Sequence, residues 1–237
     1  MRLLEVKALC RNFGGLAAVA GTDFHVDEGE IVGLIGPNGA GKTTIFNLIS
    51  GTMKPTSGEI RFKGEDISTL KPHEICRKNM ARTFQSANLF PHMSVLENVL
   101  IGALFGASVR MDEAREKGRE LLSFVGLSMK ENLHAKDLTV HDQKRLEIAR
   151  ALATEPELLL LDEVMAGLNL SEVAEALALI KAINGRGITI LMIEHIMHAI
   201  MGVSDRIIAL HYGRKLAEGT PEDISRNRKV IEVYLGE

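Results

Sequence analysis

The fold is decided by the stretch Gly36-Pro37-Asn38-Gly39-Ala40-Gly41-Lys42-Thr43, which matches the pattern G-x-x-x-x-G-K-[ST]. Its glycines let successive backbone N–H groups turn inward and cradle an anion, and the positive end of a following helix adds to the attraction. An apolar run typical of a buried parallel strand, residues 31–35, precedes it. A segment of helical character, residues 43–50, follows and is closed by Gly51. Strand, glycine loop and helix is the context that a phosphate-binding loop requires.

This loop predicts an α/β fold with a P-loop NTPase core of mainly parallel sheet, and it predicts a nucleotide site. Lys42 is placed to reach the β- and γ-phosphates, and the Thr43 hydroxyl is placed to bind Mg²⁺. We therefore expect ATP and Mg²⁺ as ligands. The predicted phosphate-binding residues are Gly36, Pro37, Asn38, Gly39, Ala40, Gly41, Lys42, Thr43 and Thr44.

A second apolar run, residues 158–161, ends in two carboxylates, Asp162 and Glu163. A Mg²⁺ shell consists mainly of carboxylate and phosphate oxygens, so Asp162 is a candidate metal ligand. Glu163, one residue further on, can orient or deprotonate an attacking water. Many buried strands end in acidic residues, but together with the phosphate loop this pattern predicts hydrolysis.

The composition excludes several classes of function. The chain has 237 residues and a net charge of −3, with no Trp and two Tyr, so we expect no nucleic-acid partner. Cys10 and Cys76 fit neither a metal spacing nor a disulfide framework, and we expect two reduced thiols. No stretch approaches the roughly 18 to 20 apolar residues of a membrane span, and residues 1–7 lack the apolar core of a signal peptide. We expect any role at a membrane to be peripheral and through a partner.

The hydrophobic pattern predicts one domain over residues 1–237 with three parts. Residues 1–86 and 146–237 form the core with an antiparallel β edge, and residues about 87–145 form an inserted helical subdomain. Predicted helices include 94–104, one that starts at the N-cap Asp112, one that starts at the N-cap Ser171, and 195–201.

With these motifs, the sequence resembles the ATP-binding subunit of an ABC transporter over essentially its whole length. The resemblance implies that Gln85 is the Q-loop glutamine, which touches the metal or water and contacts the membrane subunit. It implies that His195 is the switch histidine that senses the γ-phosphate, and that Phe13 stacks on adenine, with a core Phe as the rival interpretation. Residues 166–169 stand at the D-loop, with Asn169 where the family has aspartate.

Four stretches narrow the resemblance to one of the paired ATPases of branched-chain amino-acid importers. The relationship implies a peripheral subunit on the cytoplasmic face of the inner membrane. Its partners would be transmembrane permease chains, a second ATPase subunit and, indirectly, a periplasmic binding protein. The stretches are Phe13-Gly14-Gly15-Leu16, Arg82-Thr83-Phe84-Gln85, Val95-Leu96-Glu97-Asn98-Val99 and Val233-Tyr234-Leu235-Gly236.

One departure from the family is the signature loop. The family has Leu-Ser-Gly-Gly-Gln where this chain has Leu138-Thr139-Val140-His141-Asp142. In the family's dimer this loop faces the nucleotide of the other subunit, so we expect the His141 ring and the Asp142 charge to disfavour that nucleotide. We therefore expect a heterodimer with one strong and one weakened ATP site, although a homodimer stays possible.

Alternatives remain open. A nucleotide switch acting on the ribosome or in DNA repair usually has two cassettes or a long coiled-coil insert, which this chain lacks. A scaffold that binds nucleotide without hydrolysis is disfavoured by Glu163 and His195. The ATPase of a lipid or lipopolysaccharide exporter shares much of the motif set. No residue indicates which solute is transported.

Overall fold

The computed structural model describes residues 1–85, 88–107 and 109–235. In these residues the strands form two sheets, a four-stranded sheet of order β2-β1-β4-β5 and a six-stranded sheet of order β10-β9-β3-β8-β7-β6. The strands are β1 (Arg2–Phe13), β2 (Leu16–Asp27), β3 (Ile31–Ile35), β4 (Ser57–Phe62), β5 (Glu65–Asp66), β6 (Met80–Arg82), β7 (Leu158–Asp162), β8 (Thr189–Ile193), β9 (Arg206–His211) and β10 (Arg214–Gly219).

The six-stranded sheet positions the site. Its strands β9, β3, β8, β7 and β6 are parallel, and β10 is an antiparallel edge. Every residue of β3, β7 and β8 is buried, as expected for a sheet covered on both faces. Parallel strands end at one edge of the sheet, so the segments that follow β3, β7 and β8 are neighbours, and ligands bind at that edge. The predicted fold class is confirmed.

Helices cover this sheet, and three of them, α3 (Val95–Phe105), α4 (Met111–Phe124) and α5 (Val140–Leu152), also pack against one another. The antiparallel sheet packs its buried face against α1 (Lys42–Ile49) in a second apolar core. The helices are α1 (Lys42–Ile49), α2 (Pro72–Cys76), α3 (Val95–Phe105), α4 (Met111–Phe124), α5 (Val140–Leu152), α6 (Leu170–Asn184), α7 (Met197–Val203), α8 (Pro221–Arg226) and α9 (Arg228–Leu235), with short 3₁₀ turns at Ser128–Lys130 and Ala135–Asp137.

Of the four predicted helix starts, one is right and three are wrong. Helix α3 begins after Ser94, whose hydroxyl accepts from the Glu97 N–H while the Glu97 carboxylate accepts from the Ser94 N–H. Helix α4 follows Arg110, and Asp112 lies inside its first turn, where the positive end of the helix dipole stabilises a carboxylate. Helix α6 is capped by Asn169 and not by Ser171, because the Asn169 side chain accepts from the N–H three residues on.

The predicted helix 195–201 is also displaced. Helix α7 begins at Met197, and His195 lies ahead of it because its ring is held by a carboxylate of the site. The predicted subdomain boundary at residues 86 and 87 lies outside the described residues, as does Gly236. That division of the chain stays a prediction.

None of the helices within 1–85, 88–107 and 109–235 combines the length and the apolar character needed to cross a bilayer.

Close packing of α3 on α5 depends on Gly102. A Cβ there would lie 2.3 Å from the Arg150 carbonyl oxygen and 3.0 Å from the Ala153 Cβ. Gly102→Ala should therefore destabilise the protein by about 1–3 kcal/mol, the usual cost of overpacking. The matched control is Gly202→Ala in α7, where a Cβ meets nothing within 4 Å and the change should stabilise by up to about 1 kcal/mol. Urea unfolding measures both, and a Gly102→Ala variant as stable as Gly202→Ala would contradict the packing account.

Candidate nucleotide site

The glycine loop joins β3 to α1 at the carboxyl edge of the sheet. Gly36 has φ of 153° and Gly41 has φ of 100°, a backbone that favours glycine. A Cβ would lie 2.4 Å from the Leu210 carbonyl oxygen at Gly36 and 2.5 Å from the Ala18 carbonyl oxygen at Gly41. The loop is thus enclosed by neighbouring backbone, and its shape is preformed.

Lys42, the first residue of α1, is 5% exposed and turns back across this loop. Its Nζ donates to the Gly36 carbonyl at 2.6 Å and to the Pro37 carbonyl at 3.1 Å. Burial lowers the pKa of Lys42, and the carboxylates Glu163 and Asp162 oppose that shift. The ammonium is therefore held where an oxyanion cradled by the loop would meet it.

Asp162 ends β7 and is 2% exposed. Arg82, at the end of β6, donates from Nη2 to the Asp162 Oδ2 at 2.8 Å. The Thr83 hydroxyl accepts from the Asp162 N–H at 3.1 Å. A buried carboxylate needs such a partner, because an unpaired charge in the interior is costly.

Glu163 is held between two side chains that the sequence places far from it. Its Oε2 accepts from Gln85 Nε2 at 2.8 Å, and its Oε1 lies 2.6 Å from His195 Nε2. Its backbone is left-handed, with φ of 51°, and backbone strain of about 1–3 kcal/mol is typical of functional sites. The predicted residues Gln85, Glu163 and His195 are therefore brought together around one carboxylate.

The comparisons with known proteins agree with this geometry. The family model described as ABC transporter matches residues 19–166, and the model described as branched-chain amino acid ATP-binding cassette transporter matches residues 214–237. The high-affinity branched-chain amino acid transport ATP-binding protein BraF of Pseudomonas aeruginosa is 43% identical, over 99% of this chain and 98% of the relative. LivG of Escherichia coli, described in the same words, is 44% identical, over 99% of this chain and 98% of the relative.

The chain belongs to the ABC transporter family.

Solved structures of the family have the same fold. A nucleotide-free ATP-binding cassette from an ABC transporter superposes with a TM-score of 0.91 at 30% identity, covering 100% of both chains. A structure described as a dimeric bacterial ABC transporter cassette gives a TM-score of 0.83 at 28% identity, covering 92% of this chain and 98% of that chain. As an ABC cassette, this chain binds ATP and is an ATPase.

In the structure, the side chains of the altered signature loop are held within this chain. Thr139 caps α5, and its hydroxyl lies 2.9 Å from the Asp142 Oδ2, which Lys130 Nζ also reaches at 2.5 Å. Burial, the largest influence, raises the pKa of Asp142, but the hydrogen bonds from Lys130 and Thr139 together hold it below its ordinary value. The Asp142 carboxylate is therefore buried, and its negative charge is paired with Lys130 within its own chain.

The His141 ring is likewise turned inward. Its Nδ1 lies 3.9 Å from Glu172 Oε1 and its Nε2 lies 3.9 Å from Glu175 Oε2, both on α6. The expectation that this ring projects toward a partner's nucleotide is therefore wrong. The side chain that does project from the first turn of α5 is Val140, which is 56% exposed.

Phe13 lies at the end of β1 and is 44% exposed. The Arg11 guanidinium lies 4.8 Å from its ring centroid, a cation–π distance. An exposed ring is not a core ring, which disfavours the rival interpretation, and stacking on adenine stays a prediction.

The side chains present fit Mg²⁺. Among the described residues no group of three or more His, Cys, Asp and Glu side chains could hold a metal ion by itself, but Mg²⁺ usually takes one or two carboxylates together with substrate phosphates. Asp162 Oδ1 and Gln85 Oε1 make no hydrogen bond within the described part of the chain. Both oxygens, and the Thr43 hydroxyl, therefore suit a hard cation.

Three buried charged groups were missed by the sequence reasoning. Lys144 Nζ donates to the Gln85 carbonyl at 2.6 Å, and Glu147 Oε1 accepts from the Phe84 N–H at 3.0 Å. Both hold the segment that carries Gln85. Glu194, 2% exposed, accepts from the Met165 N–H at 2.9 Å. Charged residues three apart on the inward face of α5 are the signal that could have identified the first two.

The buried Glu194 makes stability depend on pH. Burial raises its pKa from 4.5 to about 7. Between pH 4.5 and about pH 7 the folded protein holds a proton on Glu194 that the unfolded chain has released. The contribution of Glu194 to the free energy of unfolding therefore falls as the pH rises through this range, and it is constant above about pH 7. The free energy of unfolding of Glu194→Gln, relative to that of wild type, should therefore be higher at pH 8 than at pH 5, by at most about 3 kcal/mol.

Urea unfolding at the two pH values measures this gain, with Glu116→Gln on the exposed face of α4 as the control. An equal difference between Glu194→Gln and wild type at both pH values would contradict the assignment.

Proposed function

We propose that this chain hydrolyses ATP at a half-site centred on Glu163 and thereby powers the import of branched-chain amino acids. The observation that carries the proposal is the clamping of Glu163 by Gln85 and His195, at 2.8 Å and 2.6 Å. A carboxylate fixed in this way can accept the proton of an attacking water. His195 stands where it can stabilise charge on the transferred phosphoryl group.

The remaining residues bind and orient. The backbone N–H groups of residues 38–43 and the Lys42 ammonium would hold the phosphates. Thr43, Asp162 and Gln85 would hold Mg²⁺, which when bound neutralises charge developing on the phosphate oxygens. The Phe13 ring would stack on the adenine. Each of these roles is a proposal that rests on the geometry of the loop and of the strand ends.

Glu163→Gln tests hydrolysis. The amide keeps the shape of the side chain and its contact with Gln85 but cannot accept a proton, so the ATPase rate should fall about 10²- to 10⁴-fold with nucleotide affinity preserved. Steady-state ATPase and binding of a fluorescent ATP analogue measure the two effects. Glu157→Gln, at an exposed carboxylate before β7, is the control. Retained turnover in Glu163→Gln would overturn the role of Glu163.

The transported solute is inferred from the relatives. The relatives named above are described as branched-chain amino acid transport ATP-binding proteins, and the C-terminal match at residues 214–237 carries the same description. A lipopolysaccharide export ATP-binding protein, LptB of Acidithiobacillus ferridurans, is 35% identical over 99% of this chain. The lower identity and the C-terminal match favour the importer.

A groove beside Gln85 is the proposed docking site for the permease. It has a volume of about 660 Å³ and lies between α2 and β6 on one side and α3 and α5 on the other. Phe84 lines it, and Phe105 at its rim is 71% exposed. A helical segment of a permease seated there would contact the residues next to Gln85 and hold the chain peripherally on the cytoplasmic face of the membrane.

The signature loop supports a heterodimer with a second ATPase. Since Asp142 and His141 are held within the chain, the obstacle to a partner's nucleotide is Val140, which stands in place of the family's first glycine. Its branched, exposed side chain occupies the N-terminal turn of α5, where glycine would let a phosphate approach the backbone. The chain's own half-site is complete, whereas the half that it offers to a partner is weakened.

Val140→Gly should therefore raise the ATPase rate per site of the chain alone about threefold or more. The increase in rate should be smaller when the second ATPase of the transporter is present. This threefold figure corresponds to roughly 0.7 kcal/mol of removed obstruction. Met111→Gly, which likewise replaces an exposed apolar side chain at the first position of a helix, α4, is the control. Equal turnover per site for the wild-type chain alone and mixed with the second ATPase would refute the asymmetric heterodimer.

A further inference from the structure

Arg82 is the most connected buried cation of the site, and no sequence motif assigns it a role. It ends β6, three residues before Gln85, and its side chain is 7% exposed. Its Nη2 donates to Asp162 Oδ2 at 2.8 Å. Its Nη1 donates to Asn47 Oδ1 at 2.7 Å and to Ser50 Oγ at 2.9 Å. One guanidinium therefore joins the candidate metal carboxylate to the end of the helix that follows the phosphate loop.

Arg82 also lies beneath the groove proposed for the permease. It is one of the residues that line this groove, together with Phe84. Its guanidinium carbon lies 5.1 Å from the Phe84 ring centroid and 5.6 Å from the Phe46 ring centroid. The cation thus lies at cation–π distance from one aromatic ring of the groove and from one of the core. A movement of Phe84 at the floor of the groove would therefore change the packing of the Arg82 guanidinium directly.

The chemistry of arginine suits this position. A guanidinium is planar and presents its donors in a fixed fork, so it can satisfy a carboxylate in one direction and two neutral oxygens in another. A lysine offers a single ammonium and cannot span the same three partners. Because Asp162 Oδ2 is taken by Arg82, its rotation is fixed and Oδ1 is the oxygen that is left for a metal ion.

We infer that Arg82 is a positioning residue that orients Asp162 toward Mg²⁺ and transmits the state of the permease groove to that carboxylate. The orienting role needs only the bound nucleotide, whereas the transmitting role rests on the permease docking proposed above. Partners that orient a metal ligand are usually worth 10- to 100-fold in metal affinity.

The test of orientation measures how much Mg²⁺ improves binding of a fluorescent ATP analogue to the chain alone. The measured quantity is the ratio of the dissociation constants without and with Mg²⁺. Arg82→Lys keeps the positive charge beside Asp162 but loses the fork, so the ratio should fall about tenfold, with Mg²⁺-free binding, which also reports that the variant is folded, unchanged. The double variant Asn47→Ala, Ser50→Ala keeps the ion pair and should give a smaller fall. Arg77→Met, which lines the same groove, is the control.

An unchanged ratio in Arg82→Lys would overturn the orienting role. A raised ratio would overturn it as well, because Arg82 would then compete with the metal for Asp162. A wild-type chain that binds the analogue but gains nothing from Mg²⁺ would remove the proposed magnesium site itself, and failure of all nucleotide binding would refute the proposed function. These four results are distinct.

The transmitting role is tested with the complex of this chain and its permease. The Mg²⁺ concentration that half-saturates analogue binding should differ at least threefold between the wild-type chain alone and the wild-type complex. In Arg82→Lys that difference should disappear although the complex still assembles on a sizing column. Equal half-saturation for the wild-type chain and complex, or a difference that survives in Arg82→Lys, would overturn transmission through Arg82.

Discussion

The parallel pairing of β3, β8 and β7 is the constraint on which the site depends. These strands are short and wholly buried, so their register is fixed by packing on both faces. Their carboxyl ends deliver the glycine loop, the two carboxylates and His195 to one edge of the sheet. No single segment of the sequence contains a site. The sheet assembles one from segments spread over residues 36–195.

Charge compensation then decides how this edge can function. Lys42 donates to two backbone carbonyls, Asp162 is paired with Arg82, and Glu163 is clamped by Gln85 and His195. Buried charges without such partners would destabilise the fold. The same pairs orient the groups, so the interactions that stabilise the folded state also preorganise the chemistry.

Much of this arrangement could be predicted from the sequence, because motif spacing reports which residues follow buried strands. The glycine loop, Asp162 and Glu163 are examples. Arg82 could not be predicted, since its partners lie in other elements and nothing local distinguishes it from a surface arginine. At the signature loop, the prediction from the sequence fails for the opposite reason, because local sequence suggests a role that distant contacts remove. Asp142 and His141 look exposed and disruptive in the sequence. In the structure, Lys130 pairs with Asp142 and two carboxylates of α6 lie beside His141, so both side chains are held within their own subunit.

The proposed site requires the nucleotide to lie in the loop at residues 36–43 with its γ-phosphate facing Glu163. The most direct measurement is a crystal structure of the Glu163→Gln chain with ATP and Mg²⁺. We expect the metal on the Thr43 hydroxyl and within reach of Asp162 Oδ1, and the γ-phosphate between Lys42 and the side chain at 163. A nucleotide bound elsewhere, or a metal that contacts neither Thr43 nor Asp162, would contradict it.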